Sequence, residues 1–427
     1  MRKAHIYKPL DKEQFKLKAL FWSATFSTAS YLDSNFFQDP YSKFDTLIAA
    51  GNADSINCAT GSGFYNLNTF LKNQAEYLPG FFSYNLKNEI EDLKSQNPDF
   101  LLFPDLYFFK PEHLIIIKDN LVTIWSNNPE TIIHDIEHTR TLSIKSEKND
   151  IQIKSRFSKS DYINSVNKLK AEIHQGRIYE INFCQEFYVE NLQLHPVCTY
   201  KELNRISPNP FSCFFKLDEK YIISATPERF LGRRKNKLIS QPIKGTAKRY
   251  PLHKDDIKSK AQLLNDIKEQ SENVMIVDLV RNDLTKSAVP GTVQVEELFG
   301  IYSFTQVHQM ISTIICEANP ELTNSEIIKN TFPMGSMTGA PKINAMKIIE
   351  KFERSSRGVF SGAVGYFSPD GDFDFNVVIR SILYDAKNKY LSFHVGSAIT
   401  NDSDPEKEYD ECLLKAEAIL AVLNSKL

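Results

Sequence analysis

The segment Gln241-Pro242-Ile243-Lys244-Gly245-Thr246 holds one lysine between a proline and a Gly-Thr pair. Proline restricts the backbone ahead of Lys244 and glycine permits a turn after it, so the backbone is fixed while the amine stays free. A lysine amine that its surroundings keep unprotonated can attack carbon as a nucleophile. The segment by itself fits a solvated surface lysine equally well, so the neighbouring sequence has to decide between these two interpretations.

Six other motifs accompany this segment in a fixed order along the chain. They are Ala225-Thr226-Pro227-Glu228-Arg229-Phe230, Lys268-Glu269-Gln270-Ser271-Glu272-Asn273, Val277-Asp278-Leu279-Val280-Arg281-Asn282-Asp283, Gly335-Ser336-Met337-Thr338-Gly339-Ala340-Pro341-Lys342, Ser361-Gly362-Ala363-Val364-Gly365-Tyr366 and Asp402-Ser403-Asp404-Pro405-Glu406-Lys407-Glu408-Tyr409-Asp410-Glu411. Together they resemble the chorismate-utilising enzymes, a family that contains anthranilate synthase component I, aminodeoxychorismate synthase component I and the isochorismate and salicylate synthases. The resemblance extends from about Ser160 to the C-terminus, and several long ordered motifs are more specific than any single pattern.

The order of the predicted elements indicates the fold class. Helices and antiparallel strands are interleaved without the regular repeats of a doubly wound parallel sheet. The resemblance implies an α+β fold, with two large antiparallel β-sheets packed face to face and helices outside them. We place an N-terminal region at 1–155, integrated in the same sandwich, and a chorismate-binding catalytic domain at 156–427.

Local patterns predict individual elements. In the N-terminal region they predict strands at Leu101-Leu102-Phe103 and His113–Ile117, a hairpin across Lys118-Asp119-Asn120 and a polar surface connection from Ser143 to Lys159. Further on they predict a helix from Tyr162 to Gln175 that ends at Gly176, a strand from Ile178 to Phe187, a helical run from Leu263 to Asp283 and a hairpin at Pro369-Asp370-Gly371.

Composition restricts the class of partner and the compartment. Lys and Arg total 51 and Asp and Glu total 53, so the net charge of −2 favours neither nucleic acid nor an anionic membrane surface. The six cysteines contain no Cys-x-x-Cys pair and are expected to be reduced thiols. No apolar stretch is long enough for a signal peptide or a transmembrane helix. We therefore expect a cytoplasmic protein.

Two pairs of glutamates repeat one helical spacing. Glu269 and Glu272 lie at i, i+3, as do Glu408 and Glu411, so each pair projects from one face of its helix. Ser403 or Asp404 can cap the second helix, whose first turn begins at Pro405. The spacing also fits ordinary surface ion pairs such as Glu411 with Lys415. The resemblance implies the alternative, in which Glu272 and Glu411 hold Mg²⁺ and Glu269 and Glu408 lie alongside.

The glycine-rich stretch from Gly335 to Lys342 precedes a predicted helix whose start is near Pro341. Free N–H groups at such a place suit a carboxylate, although the stretch is equally compatible with a simple turn. The resemblance implies that several further residues bind the substrate. These residues are Gly245, Thr246, His308, Ser336, Arg380, Gly396 and Lys415.

Two positions separate the members of the family. Isochorismate and salicylate synthases carry a lysine base at the position of Glu180, and the two aminating synthases usually carry glutamine there, so Glu180 departs from both groups. Lys244 replaces the alanine of anthranilate synthase and is typical of aminodeoxychorismate synthase component I. Phe360 and Asn182 also favour that member. Anthranilate synthase component I remains the alternative enzyme.

The resemblance implies a mechanism. Lys244 attacks C2 of chorismate, Glu228 protonates the departing C4 hydroxyl, and ammonia then attacks C4 and expels the lysine to give 4-amino-4-deoxychorismate. Glu228 must therefore start protonated and Lys244 neutral, and we expect burial near cations to lower the pKa of Lys244. The chain contains no Gly-x-Cys-x-Gly motif, so ammonia is expected from a separate glutamine amidotransferase subunit. A non-catalytic subunit that binds chorismate or Mg²⁺ would instead bind ligand without turnover.

Overall fold

The computed structural model describes residues 2–72, 74–142, 151–305 and 307–425. Its helices are α1 (Lys12–Ser23), α2 (Gly63–Lys72), α3 (Lys87–Ile90), α4 (Pro129–His138), α5 (Lys159–His174), α6 (Pro196–Ile206), α7 (His253–Leu264), α8 (Ile267–Thr285), α9 (Asn324–Thr331), α10 (Lys342–Phe352) and α11 (Pro405–Val422). Short 3₁₀ turns cover Tyr84–Leu86 and Gly335–Met337.

The strands are connected by antiparallel pairings. They are β1 (Lys3–Tyr7), β2 (Thr28–Asp33), β3 (Thr46–Cys58), β4 (Leu78–Phe82), β5 (Leu106–Lys118), β6 (Leu121–Ser126), β7 (Lys154–Ser155), β8 (Glu180–Val189), β9 (Ser212–Leu217), β10 (Lys220–Ser224), β11 (Arg229–Arg234), β12 (Lys237–Gln241), β13 (Ile243–Lys248), β14 (Gln294–Ser303), β15 (Val307–Glu317), β16 (Gly339–Ala340), β17 (Ala363–Phe367), β18 (Phe373–Asn376), β19 (Ser381–Asp385) and β20 (Tyr390–Ile399).

The long strands β3 and β5 link two sheets. The first sheet runs β1-β6-β5-β3-β2-β9-β10-β19-β20-β8, and β7 and β16 both pair with β8. The second runs from the first half of β5 through β4-β17-β18-β11-β12-β15, and β13 and β14 both pair with β15. A register shift between Asn52 and Asp54 marks the place where β3 passes from one sheet to the other.

Two apolar cores follow from strand alternation. Neighbouring side chains on a strand point to opposite faces, so Phe215 joins a core with Phe375 of the second sheet, whereas Phe214 joins a core with helices α1, α5 and α11. The first sheet therefore packs against the second sheet on one face and against helices on the other. These features confirm the predicted α+β fold with large antiparallel sheets and outer helices.

Several predicted elements need correction. The helical run from Leu263 to Asp283 is two helices, because Asn265 ends α7 and the side chain of Asp266 caps α8 by accepting hydrogen bonds from the N–H groups of Lys268 and Glu269. The predicted strand at Leu101 is wrong: Leu102 has a positive φ of 50° and no strand forms there. Strand β8 begins two residues later than predicted.

The remaining local predictions agree with the structure. Helix α5 ends at His174 and Gly176 follows with a φ of 72°. Both predicted hairpins form, β5–β6 around Asp119 and β17–β18 around Gly371. Part of the predicted polar connection, 143–150, lies outside the described residues. In the part of the chain that the structure covers, no helix combines the length and the apolar character needed to cross a bilayer.

Candidate active site

Lys244 lies where strand β13 is interrupted. The pairing of β13 with β15 shifts register between Ile243 and Thr246, and Gly245 within this interruption has a φ of 91°. A Cβ atom at Gly245 would lie 3.1 Å from Oε2 of Glu269, so the glycine also allows helix α8 to approach. The irregular backbone thus places Lys244 beside the glutamates of α8 rather than in a regular ladder.

The amine of Lys244 forms a buried ion pair with Glu180 of strand β8. The Lys244 Nζ atom donates a hydrogen bond to Oε1 of Glu180 at 2.8 Å, and the two side chains are only 12% and 2% exposed. Burial acts to lower the pKa of Lys244, but Glu180, and then Glu272 and Glu411, outweigh burial and raise the pKa above its ordinary value. The lysine is therefore cationic in the protein alone.

This pKa direction corrects the expectation drawn from the sequence, which was a lowered value for Lys244. The expectation counted burial and neighbouring cations, whereas the charges that face the amine within the protein are carboxylates. A neutral Lys244 consequently requires a change in its surroundings, such as a proton acceptor or bound charges that compensate the carboxylates.

Glu228 has the protonation that a general acid needs. It is buried just ahead of strand β11, and burial raises its pKa to about 7, while the nearby Ser336 hydroxyl and the positive charges of Lys244 and Arg380 act to lower it. An ordinary glutamate would be almost fully ionised at neutral pH. Glu228 instead retains a proton on a large fraction of molecules at pH 7, as the implied mechanism requires.

Arg380 provides a partly buried cation near Glu228. It precedes strand β19 with a φ of 50°, and burial lowers its pKa while the charge of Glu228 acts in the opposite direction. Across the described ranges, its guanidinium has no hydrogen-bond or ion-pair partner from the protein. A partly buried guanidinium that has no carboxylate partner is suited to bind a carboxylate through paired hydrogen bonds.

The glycine-rich stretch is attached to strand β8. The N–H of Asn182 donates to the carbonyl of Thr338 at 2.8 Å, and its side-chain amide donates to the carbonyl of Ser336 at 2.8 Å. Gly339 pairs with Ile181, and a Cβ there would lie 2.2 Å from the Glu180 carbonyl oxygen. These contacts hold Ser336 beside Glu228 and close to the ion pair of Glu180. Pro341 precedes α10 as its N-cap, close to the predicted helix start.

The two glutamate pairs come from helices packed on different strands, α8 on β13 and β15 and α11 on β20. Burial raises the pKa of Glu272 to about 7 and also raises that of Glu269. For Glu411 burial acts upwards too, but Lys415, at 2.7 Å, outweighs it and lowers the pKa. The ion pair between Glu411 and Lys415, one of the two alternatives predicted from the sequence, is therefore present in the structure.

Lys268 belongs to the same acidic group and was not singled out from the sequence. Its Nζ atom lies 3.7 Å from Oε1 of Glu272, and its charge interacts with those of Glu269, Glu408 and Glu411. All four glutamates therefore lie within reach of the charge of Lys268. The only hint in the sequence is the i, i+4 spacing from Lys268 to Glu272.

The chemistry of this donor set fits a hard divalent ion. Glu269 and Glu272 have raised pKa values, which indicates carboxylates whose negative charge is poorly compensated by the protein. Within 2–72, 74–142, 151–305 and 307–425, however, no three Asp, Glu, His or Cys side chains converge as a preformed metal cluster. The glutamates would have to reorient to share an ion, and Lys268 would have to leave Glu272.

Gly396 of β20 and Lys415 of α11 contact each other. Lys415 Nζ donates to the carbonyl oxygen of Gly396 at 2.9 Å. A Cβ atom at position 396 would lie 2.4 Å from Sγ of Cys184 on the neighbouring strand, so the close pairing of β20 with β8 requires glycine there. The structure therefore brings these two predicted residues together.

Thr246 follows Gly245 on β13, and His308 lies on the neighbouring strand β15. Thr246 pairs with Gln309, and His308 is buried, with Nδ1 2.8 Å from Ser303 Oγ and Nε2 3.0 Å from an Asp256 carboxylate oxygen. The imidazole is thus saturated by protein partners. No sequence pattern pointed to Asp256, which lies on α7, as a partner of His308. The arrangement orients His308 firmly but gives it no free nitrogen for a ligand.

Comparison with known proteins identifies the family. The model of the chorismate binding enzyme family matches residues 18–421. The chain is 29% identical to aminodeoxychorismate synthase component 1 of Escherichia coli (strain K12) over 92% of this chain and 93% of that protein. It is 30% identical to anthranilate synthase component 1 of Aquifex aeolicus (strain VF5), over 81% and 74%. The crystal structure of anthranilate synthase component I from Streptococcus pneumoniae TIGR4 has the same fold, with a TM-score of 0.77 at 23% identity and coverage of 91% and 94%. Because the family model spans nearly the whole sequence, the chain belongs to the family of chorismate binding enzymes.

Proposed function

We propose that this enzyme aminates chorismate at C4 with ammonia, in a Mg²⁺-dependent reaction that passes through a covalent adduct with Lys244. The product is 4-amino-4-deoxychorismate, a precursor of 4-aminobenzoate and folate. One observation carries the proposal: a buried lysine amine and a carboxyl group with a pKa of about 7 are electrostatic neighbours in one site. A nucleophile and a proton donor are the two groups that this chemistry needs.

The chemical steps follow from these two groups. The neutral Lys244 amine forms a bond to C2, the ring double bonds shift, and the C4 hydroxyl leaves as water with the proton of Glu228. Ammonia then attacks C4, the double bonds shift back, and the C2–nitrogen bond breaks. Attack at C2 therefore makes C4 electrophilic. The amine that forms at C4 returns a proton to Glu228, and the site is restored.

We propose that Arg380 binds the enolpyruvyl carboxylate of chorismate. The glycine-rich stretch and Lys415 are proposed to contact the rest of the substrate molecule. Arg380→Gln is expected to raise KM for chorismate by about 10- to 100-fold, because a charge-assisted hydrogen-bond pair is lost. Steady-state kinetics measures the change. Arg354→Gln, which removes an exposed arginine paired with Asp161, is the matched control. An unchanged KM in Arg380→Gln would exclude this carboxylate site.

The glutamates of α8 and α11 are proposed to hold Mg²⁺, Glu272 and Glu411 directly and Glu269 and Glu408 alongside. When bound, the ion would neutralise the repulsion between these carboxylates and the ring carboxylate of the substrate. Saturating Mg²⁺ is expected to raise the thermal unfolding midpoint of the wild type, corresponding to about 2.7 kcal/mol at 100 times Kd. Glu272→Gln should lose most of that shift. The exposed Glu317→Gln should keep it, and equal shifts in both variants would contradict the assignment.

Ammonia is proposed to come from a separate glutamine amidotransferase subunit, since relatives bear the name component 1. We also propose a cytoplasmic location, because Cys58, Cys184, Cys213, Cys316 and Cys412 are free thiols. Chromatographic identification of the product from chorismate, Mg²⁺ and ammonium salt tests the function. 4-Amino-4-deoxychorismate supports the proposal. Anthranilate would identify the alternative activity, and binding of chorismate without turnover would indicate a non-catalytic subunit.

A further inference from the structure

Glu180 differs from the other carboxylates around Lys244 in its contacts. Oε1 accepts the hydrogen bond from Lys244, whereas Oε2 is buried and has no hydrogen-bond partner among the described residues. The residue itself is 1% exposed. A buried carboxylate oxygen without a donor is costly, so the negative charge of Glu180 depends mainly on Lys244 for its stabilisation.

A purely structural role does not account for this charge. A glutamine at this position could accept the same hydrogen bond from a lysine ammonium without placing a negative charge in the interior. What glutamine cannot do is accept a proton. The difference between the two side chains is therefore chemical, and it lies at the nucleophile.

Strand β8 holds Glu180 in a fixed position. The strand pairs with β20 along its length, and Glu180 itself lies opposite Ala340 of the glycine-rich stretch. The side chain of Glu180 therefore approaches Lys244 from an anchored backbone, while Lys244 extends from the irregular part of β13. This geometry restrains the amine and provides a short path for a proton.

We propose that Glu180 positions Lys244 and accepts the proton of its ammonium group once chorismate is bound, so that the amine becomes the nucleophile. The proposal rests on the proposed function. It identifies a positioning residue that acts through Lys244.

The proton balance closes within the site. A proton passes from Nζ of Lys244 to Oε1 of Glu180, and the freed lone pair forms the bond to C2. Glu228 separately gives its proton to the departing C4 hydroxyl. When ammonia has attacked C4 and Lys244 leaves as a neutral amine, Glu180 returns the proton to it. No external acid or base is consumed.

Other carboxylates also face Lys244 but are less suited to this step. Glu269, Glu272 and Glu411 act on its charge from α8 and α11, and none of them forms a hydrogen bond to it in the described part of the chain. Glu411 is paired with Lys415. Glu228 also interacts with Lys244, but it must be protonated to act as the acid.

The test compares Glu180→Gln, Glu180→Asp and the wild type. In Glu180→Gln solvent must take the proton, so kcat should fall about 100-fold at neutral pH and rise about tenfold per pH unit towards the wild-type rate. KM for chorismate should stay within about threefold, and Glu180→Asp should recover part of the rate. A Glu180→Gln enzyme with a wild-type rate and pH profile, or a faster rate at neutral pH, overturns the proposal.

A second measurement separates this role from the proposed function. Without ammonia, the wild type incubated with chorismate and Mg²⁺ should form an adduct at Lys244, detected by intact-mass spectrometry, and Glu180→Gln should form it more slowly at neutral pH. An equal rate overturns the role of Glu180 alone, whereas no adduct in the wild type overturns the covalent function and this role with it. Asp385→Asn, which alters a buried carboxylate paired with Lys220 at 2.8 Å, controls for loss of an ion pair and should behave as the wild type.

Discussion

Lys244→Ala is expected to lower the rate of 4-amino-4-deoxychorismate formation by at least about 10³-fold, because the nucleophile that activates C4 is removed. Ammonia can still reach the ring, so the remaining turnover should shift towards amination at C2. Product chromatography with chorismate, Mg²⁺ and ammonium salt measures both effects. C4 amination at the wild-type rate would rule out the covalent route.

The variant also needs a control for folding, because Lys244→Ala leaves Glu180 buried without its cation. Breaking one side of a buried ion pair costs about 3–5 kcal/mol of stability, which is large enough to lower the folded fraction. The double variant Lys244→Ala/Glu180→Gln removes both charges and should recover most of that stability. If its thermal unfolding midpoint is near the wild-type value and C4 amination is still absent, the loss is chemical rather than structural.

Glu228→Gln is expected to reduce kcat by about 10²- to 10⁴-fold, since the isosteric amide cannot protonate the departing hydroxyl. The same group sets a pH limit in the wild type. A raised pKa of about 7 keeps the carboxyl protonated below that pH, so activity should fall as pH rises through about 7. The profile is measured as kcat/KM for chorismate, which reports groups of the free enzyme.

Glu272 complicates that profile, because burial raises its pKa to about 7 as well. Assays at saturating Mg²⁺ separate the two groups, since a bound cation keeps Glu272 ionised while Glu228 still titrates. Ser336→Ala provides a further check. The nearby Ser336 hydroxyl acts to lower the pKa of Glu228, so its removal should move the fall in activity to higher pH. A wild-type profile that is flat from about pH 6 to about pH 8.5 would contradict the assignment of Glu228.

Much of the local structure was predictable from short stretches of sequence. Asp404 and Pro405 begin α11 as expected, with the Asp404 side chain accepting hydrogen bonds from two N–H groups of the first turn. The turn at Gly371 and the end of α5 follow from glycine in the same way. The i, i+3 glutamates lie on helices, and the ordered motifs identified the family and with it the sheets.

Other features were not predicted from the sequence. The sequence pattern predicted one helix from Leu263 across Asn265. In the structure, the cap formed by Asp266 starts a new helix there. His308 was expected at the substrate, but its two nitrogens are engaged by Ser303 and by Asp256 of α7. Asp256 is 52 residues away from His308 in the chain, so the sequence around His308 does not indicate this contact.

Short sequence patterns were enough to predict a lysine in a constrained turn, glutamates in helical pairs and the fold of the family. The charges that surround that lysine follow from the packing of distant segments. Glu180 is 64 residues away from it in the chain and on a strand that does not pair with β13, yet their polar atoms are 2.8 Å apart. Turns and caps depend on neighbouring residues, whereas a pKa depends on burial and on charges a few ångströms away in space, wherever they lie in the chain.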